Sequence, residues 1–211
     1  MMKNLLLIGA LTVLIHTANA QEKPLLPMCV ILHGGVNLTS LDPNEYIYSP
    51  NAEIGFSGGA MYRTDGDLYL LGGLQYVSAN PTISDAINMK SEKVNLQIFQ
   101  VPLMAGVQIL KSPDSKRCMH GQMGASFSIL LDVAENSLGI EKENLWTTGF
   151  TFKGGIGADL GMFVVDFHYN LLLTHLHDYA GYDNKSRLLC WELSVGYKIN
   201  IGDKEKPDSS Y

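Results

Sequence analysis

Apolar and polar residues alternate with period two in eight stretches along the chain: 30–40, 52–63, 67–79, 94–110, 117–131, 148–160, 163–173 and 187–201. In the seventh, Phe163, Val165, Phe167, Tyr169 and Leu171 share one face, with Asp166, His168 and Asn170 on the other. In the eighth, Leu189, Trp191, Leu193, Val195, Tyr197 and Ile199 oppose Cys190, Glu192, Ser194, Gly196, Lys198 and Asn200. A helical period of 3.6 would mix these sets, so the pattern predicts strands.

The connections alternate in length. Segments 41–51, 80–93, 132–147 and 174–186 are long, and 64–66, 111–116 and 161–162 are short. In an up-and-down meander the two kinds fall at opposite ends, which is the asymmetry of outer-membrane barrels: short periplasmic turns, longer outer loops, and both termini in the periplasm when the strand number is even. The turn chemistry agrees. Gly161-Met162 puts Gly at the first position of a two-residue loop, where φ is positive. Thr64-Asp65-Gly66 fits a three-residue loop that pairs Arg63 with Asp67, whereas a two-residue Asp65-Gly66 turn sets Tyr62 against Tyr69 on the wrong face.

Alternation alone does not say whether the apolar face points into a dry core or out into lipid. The aromatic residues of that face cluster near strand ends, Tyr62, Phe163 and Tyr197 towards the short turns and Tyr76, Phe127, Phe150 and Trp191 towards the long loops, as two interfacial girdles do. The opposite face carries Glu53, Gln75, Gln100, Gln122, Ser126, Lys153, Asp159, Asp166, His168, Glu192 and Lys198. That set is polar but poorer in Lys and Glu than a solvated surface, and inside a narrow barrel its members can satisfy one another. With the loop asymmetry, this places lipid outside.

The N-terminus fits export. Lys3 precedes an apolar run from Leu5 to Ile15, and Ala18-Asn19-Ala20 has the form of a signal-peptidase site, so residues 1–20 read as a signal peptide. Cleavage before Gln21 leaves a mature domain 21–211, with the barrel at about 28–202 and a polar tail over 203–211. Removing Lys3 leaves 14 basic residues against 21 acidic, and this net charge of −7 excludes the basic face that nucleic acid requires. Beyond residue 20 no apolar stretch approaches the ~18 residues of a spanning helix, so any crossing is by strands. Cys29, Cys118 and Cys190 are odd in number and widely spaced, which leaves at least one free thiol. Cys29 follows Leu25-Leu26-Pro27-Met28, which lacks the small residues of a lipoprotein cleavage box.

Val94-Asn95-Leu96-Gln97-Ile98-Phe99-Gln100-Val101-Pro102-Leu103-Met104-Ala105-Gly106-Val107, the run Gly121 to Leu131, Gly155-Ile156-Gly157, and Tyr169-Asn170-Leu171-Leu172-Leu173-Thr174 carry a resemblance. They are similar to strands of the PorT-like outer-membrane β-barrel proteins, over nearly all of 30–201. Ile98 and Gln100 stand where that family usually has Tyr and Glu, and Gly73 replaces another frequent Glu, so interior charge is reduced here. The resemblance implies an outer-membrane barrel in a family mostly without assigned activity, whose namesake is linked to a protein-export system.

Candidate chemistry is sparse. Gly155-x-Gly157 with Gly161 is superficially like a dinucleotide fingerprint, yet it lies within a strand and no helix N-terminus follows to hold a phosphate; close approach in a curved wall explains it better. His175, His177, Asp178 and Asp183 share the fourth long loop but lack the tight ligand pairs of a zinc site, and read as solvated. His33, Ser126, Asp166, His168 and Glu192 all point to the interior. Membrane hydrolases and acyltransferases use such groups, but near the lipid boundary, and here no serine has an assignable partner. A symmetric register through the loop centred near residue 180 sets His168 opposite Glu192, where a charge-assisted hydrogen bond is expected.

The expectation is therefore an all-β, eight-stranded, antiparallel, up-and-down transmembrane β-barrel in the bacterial outer membrane, in contact with its lipid and lipopolysaccharide. It is expected to act without enzymatic chemistry, cofactor or metal, as a scaffold, adhesin or accessory subunit through its outer loops. The alternatives are a membrane enzyme acting on lipid or lipopolysaccharide, and a soluble periplasmic ligand-binding barrel. No specific protein partner is named by the sequence.

Overall fold

The structure, a computed structural model, describes residues 28–41, 52–85, 90–112, 117–174 and 187–201. Its strands are β1 (Met28–Leu41), β2 (Glu53–Thr64), β3 (Leu68–Ala79), β4 (Thr82–Asp85), β5 (Lys90–Lys93), β6 (Leu96–Lys111), β7 (Arg117–Val133), β8 (Thr148–Leu160), β9 (Phe163–Leu172) and β10 (Leu188–Ile201). Eight of them close into an antiparallel barrel in which consecutive barrel strands are neighbours, and β4 and β5 form a separate hairpin. β1 meets β10 from Met28↔Ile201 to Leu41↔Leu188, so the sheet has no free edge. Closure matters because hydrocarbon offers no partner for an unpaired backbone N–H or C=O.

The faces are those the alternation implies. Leu193, Val195, Phe167, Phe150 and Ile156 are exposed on the outside, while Glu192, Ser194, His168 and Lys153 are buried within. Aromatic pairs ring the outside: Phe163 against Tyr197 (5.8 Å between ring centroids) near a short turn, Tyr169 against Trp191 (4.7 Å) and Phe127 against Phe150 (5.7 Å) nearer the long loops. Gly161 has φ +70° and Leu160 pairs directly with Phe163, so the β8–β9 connection is the two-residue turn expected.

The β2–β3 turn differs from expectation. Gly66 does take a positive φ of 125°, but Arg63 pairs with Leu71 rather than Asp67. Residues 67–70 are drawn to β6 instead: Gln108 N–H donates to the Asp67 carbonyl at 2.8 Å and Lys111 pairs with the Asp67 carboxylate. The Thr64 hydroxyl closes the longer turn by accepting from Leu70 N–H at 2.9 Å. The displacement is an even number of residues, so every side chain keeps its face.

The interior is layered, not uniformly polar. At the long-loop end Leu41, Val77, Leu96, Ile98, Leu130 and Leu172 meet Leu145 and Trp146 of the β7–β8 connection, which folds over the mouth. Towards the short turns Ile31, Met61, Tyr69, Leu71, Met104 and Val164 form a second apolar layer. Met61 occupies the space beside Gly73, where an added Cβ would lie 2.8 Å from its sulfur.

Candidate functional site: the barrel interior

Between the two apolar layers lies a hydrogen-bonded charge cluster. Glu192 of β10 is 2 % exposed and accepts from Ser57 Oγ (2.5 Å), Gln75 Nε2 (2.5 Å), Asn170 Nδ2 (3.2 Å) and Lys153 Nζ (3.5 Å). Lys153 of β8 also donates to Gln75 Oε1 at 2.6 Å. These groups come from β2, β3, β8, β9 and β10, because the inward face of each strand arrives at one level in the closed barrel. A buried cation and anion that are paired and surrounded by further donors avoid most of the cost of an isolated charge.

Below this cluster, Gln122 Nε2 donates to Asp166 Oδ1 (3.0 Å) and to His168 Nε2 (2.8 Å), Tyr69 OH donates to Gln122 Oε1 (3.2 Å), and His120 Nε2 meets Asp166 Oδ1 (2.8 Å). At the short-turn end Arg63 grips Asp159 bidentately, with Nη1 to Oδ1 at 3.0 Å, and Lys198 donates to Asp159 Oδ2 at 3.0 Å. Above, Gln100, Ser128 and Thr151 form a short chain at 3.2 and 2.8 Å.

The register that sets His168 opposite Glu192 is present. The expected bond between them is not formed. Four other donors already occupy the Glu192 oxygens, and the His168 ring turns to Gln122. His33, Ser126, Asp166, His168 and Glu192 all point inward, but Ser126 Oγ and His33 Nε2 have no hydrogen-bond partner, so no serine–histidine pair is assembled among them. Gly155 and Gly157 lie in β8, where an added Cβ would fall 2.5 Å from His168 Cδ2 and 2.1 Å from Asp166 Oδ1; their role is close packing. His175, His177, Asp178 and Asp183, and the segments 1–20 and 203–211, lie outside the described residues. All three cysteines are free.

Among the interior groups absent from the sequence-based set are Ser57, Ser128 and Thr151, and two that carry or share charge, His120 and Arg63. His120 stands on the same parity as Gln122 and Ser126, so alternation along β7 was the available signal. The local pattern pairs Arg63 with Asp67 across the turn, and its partnership with Asp159, 96 residues away, leaves no local trace. Among the described residues, two interior spaces are small, about 20 Å³ beneath Trp146 and about 20 Å³ beside His33, Gln122 and Glu192. Each accommodates one water at most.

A closed barrel with an apolar outer face, aromatic rims and a polar, packed interior defines an outer-membrane β-barrel protein. Residues 19–178 match the family described as outer membrane protein beta-barrel domain, and the chain belongs to it; its place is the bacterial outer membrane. Among solved structures, Neisserial surface protein A (NspA) is similar at 12 % identity and TM-score 0.52, covering 82 % of this chain and 97 % of that one. Ail, the attachment invasion locus protein of Yersinia pestis, is similar at 14 % identity and TM-score 0.49, covering 82 % of this chain and 99 % of its own. OprG from Pseudomonas aeruginosa is similar at 11 % identity and TM-score 0.47, covering 82 % and 96 %. At these identities the likeness concerns the fold. No curated protein matches the chain.

Proposed function

We propose that this outer-membrane protein is a non-enzymatic anchor that presents its outer end as a scaffold, adhesive surface or accessory subunit. The observation that carries the reading is that the interior is filled while the outer end is built. The β4–β5 hairpin and the β7–β8 connection are tied together above the mouth by Ser137, which donates from its backbone N–H (2.8 Å) and its hydroxyl to Glu92, and the start of the connection is held to the β5–β6 link where Ala134 N–H donates to the Asn95 carbonyl at 3.0 Å. Asn136 braces the connection, accepting from Ile140 N–H at 2.9 Å and donating to the Ile140 carbonyl at 2.8 Å. Groups committed to such a plug and platform are available for contact, not for turnover. The PorT-like resemblance supports an accessory role of this kind.

The mature protein in this reading is 21–211 after removal of the signal peptide, and its apolar belt contacts outer-membrane lipid and lipopolysaccharide. Lipid analysis of cells with and without the protein tests the reading: unchanged acyl composition of phospholipid and lipopolysaccharide is expected. A change in lipid A acylation or phospholipid hydrolysis that depends on the protein would favour the membrane enzyme instead.

A further inference from the structure

β7 opens Arg117-Cys118-Met119-His120, so Cys118 and His120 both point inward at the short-turn end. Cys118 lies directly opposite Asp159 on β8, and His120 lies opposite Gly157, whose missing side chain leaves space for the imidazole. One donor atom from each of Cys118, His120 and Asp159 lies within 4.8 Å of the other two.

His120 is the informative member. Its side chain is 1 % exposed, and Nε2 lies 2.8 Å from Asp166 Oδ1. A carboxylate only accepts, so Nε2 carries the hydrogen. Nδ1 has no hydrogen-bond partner and points at Asp159 Oδ1 from 3.6 Å, too far for an N–H···O bond. A buried ring nitrogen left unpaired beside a carboxylate oxygen is costly, and one cation between them satisfies both. The spacing suits it, since two N or O ligands at about 2.1 Å from a tetrahedral ion stand roughly 3.4 Å apart. A ligating histidine that gives its other N–H to a carboxylate is also the usual way of fixing the ligand tautomer.

We propose that the periplasmic mouth of the barrel binds one zinc-class ion through Cys118 Sγ, His120 Nδ1 and Asp159 Oδ1, with water completing the shell. Charge and ligand type select the ion. The thiolate, Asp159 and Asp166 together exceed the positive charge of Arg63 and Lys198, and a sulfur–nitrogen set suits zinc rather than calcium or magnesium, which need many oxygens. Arg63 uses one lone pair of Oδ1 and leaves the other for the ion, so the Arg63–Asp159 pair is kept. A recess of about 230 Å³ at the short-turn mouth is bordered by Arg63 and Lys198, the two cations that hold Asp159, and brings solvent to this end of the barrel.

Cobalt(II), a spectroscopic stand-in for zinc, tests the site in the reduced full-length protein folded in detergent micelles, with folding of each variant verified by cold gel mobility. A thiolate-to-cobalt charge-transfer band is expected, saturating at one ion per chain and abolished by added zinc. It should vanish in Cys118→Ser and persist in Cys29→Ser and Cys190→Ser, and Asp166→Asn should weaken cobalt binding about 10–100-fold. The absence of the band in the folded wild type at saturating cobalt, its survival in Cys118→Ser, or unchanged affinity in His120→Asn would overturn the proposal.

Discussion

Lys153 and Glu192 show what a narrow barrel demands of charged side chains. Both are almost wholly buried, and their charges are acceptable only because each has the other and a shared Gln75. Lys153→Met should therefore destabilise by about 3–5 kcal/mol, the cost of a buried charge stripped of its partner. Lys153→Met/Glu192→Gln should recover much of that loss, because the amide keeps partners while the uncompensated charge is gone. Denaturant unfolding in micelles measures both, and equal destabilisation of the single and double variants would contradict the pairing. The two faces are separable by a second comparison. Val165 points to lipid between the Phe163–Tyr197 and Tyr169–Trp191 rims, so Val165→Arg should cost roughly 2–4 kcal/mol. Asp166→Asn retains hydrogen bonding to His120 and Gln122, so it should cost less and leave insertion intact. A reversal of these two costs would exchange inside and outside.

At the scale of elements, the barrel strands were legible because one face meets lipid and the other a filled interior, which forces a strict period of two. The β8–β9 turn was legible because a two-residue loop with leading Gly has few solutions. The β4–β5 hairpin was not: Thr82-Ile83-Ser84-Asp85 and Lys90-Ser91-Glu92-Lys93 are short, polar and without alternation. Nor was the β2–β3 register, which depends on Asp67 being held by β6, some 40 residues on. The candidate site was legible only by parity. Parity and a symmetric loop set His168 opposite Glu192, as the register has it, but competition among donors from several strands decides which bonds form. The inward fold of the β7–β8 connection is testable with the protein's two tryptophans. Trp191 faces lipid and Trp146 is 2 % exposed under the outer mouth. In bilayers containing bromine-labelled acyl chains, Trp146→Phe should leave strongly quenched emission, and Trp191→Phe should leave emission that neither the labelled lipid nor aqueous iodide quenches. Iodide quenching of the Trp191→Phe variant would show that the connection stands out in solvent.

For the whole molecule, the stack of layers bears on transport. An eight-stranded barrel encloses a space only about wide enough for its own side chains. Here that space holds, from the outer end inwards, the Trp146 and Leu145 cap, the Lys153–Glu192 cluster, an aliphatic layer of Ile31, Met61, Leu71, Met104 and Val164, and the Arg63–Asp159–Lys198 lock. The lock borders a water-accessible recess of about 230 Å³ at the short-turn mouth, and between it and the centre the aliphatic layer packs beside the His120–Asp166–Gln122–His168 chain to fill the section. An ion crossing this stack would have to open both apolar layers and break both sets of ion pairs, all of which pack against a closed sheet with no edge to yield. Purified protein in a planar bilayer should accordingly show no steady pore-like current. Lys153→Ala should not create one, because the apolar layers above and below that cluster stay in place. A reproducible open channel of porin size in the wild type would mean that the plug is displaced in the membrane, and transport would then replace anchoring as the protein's leading function.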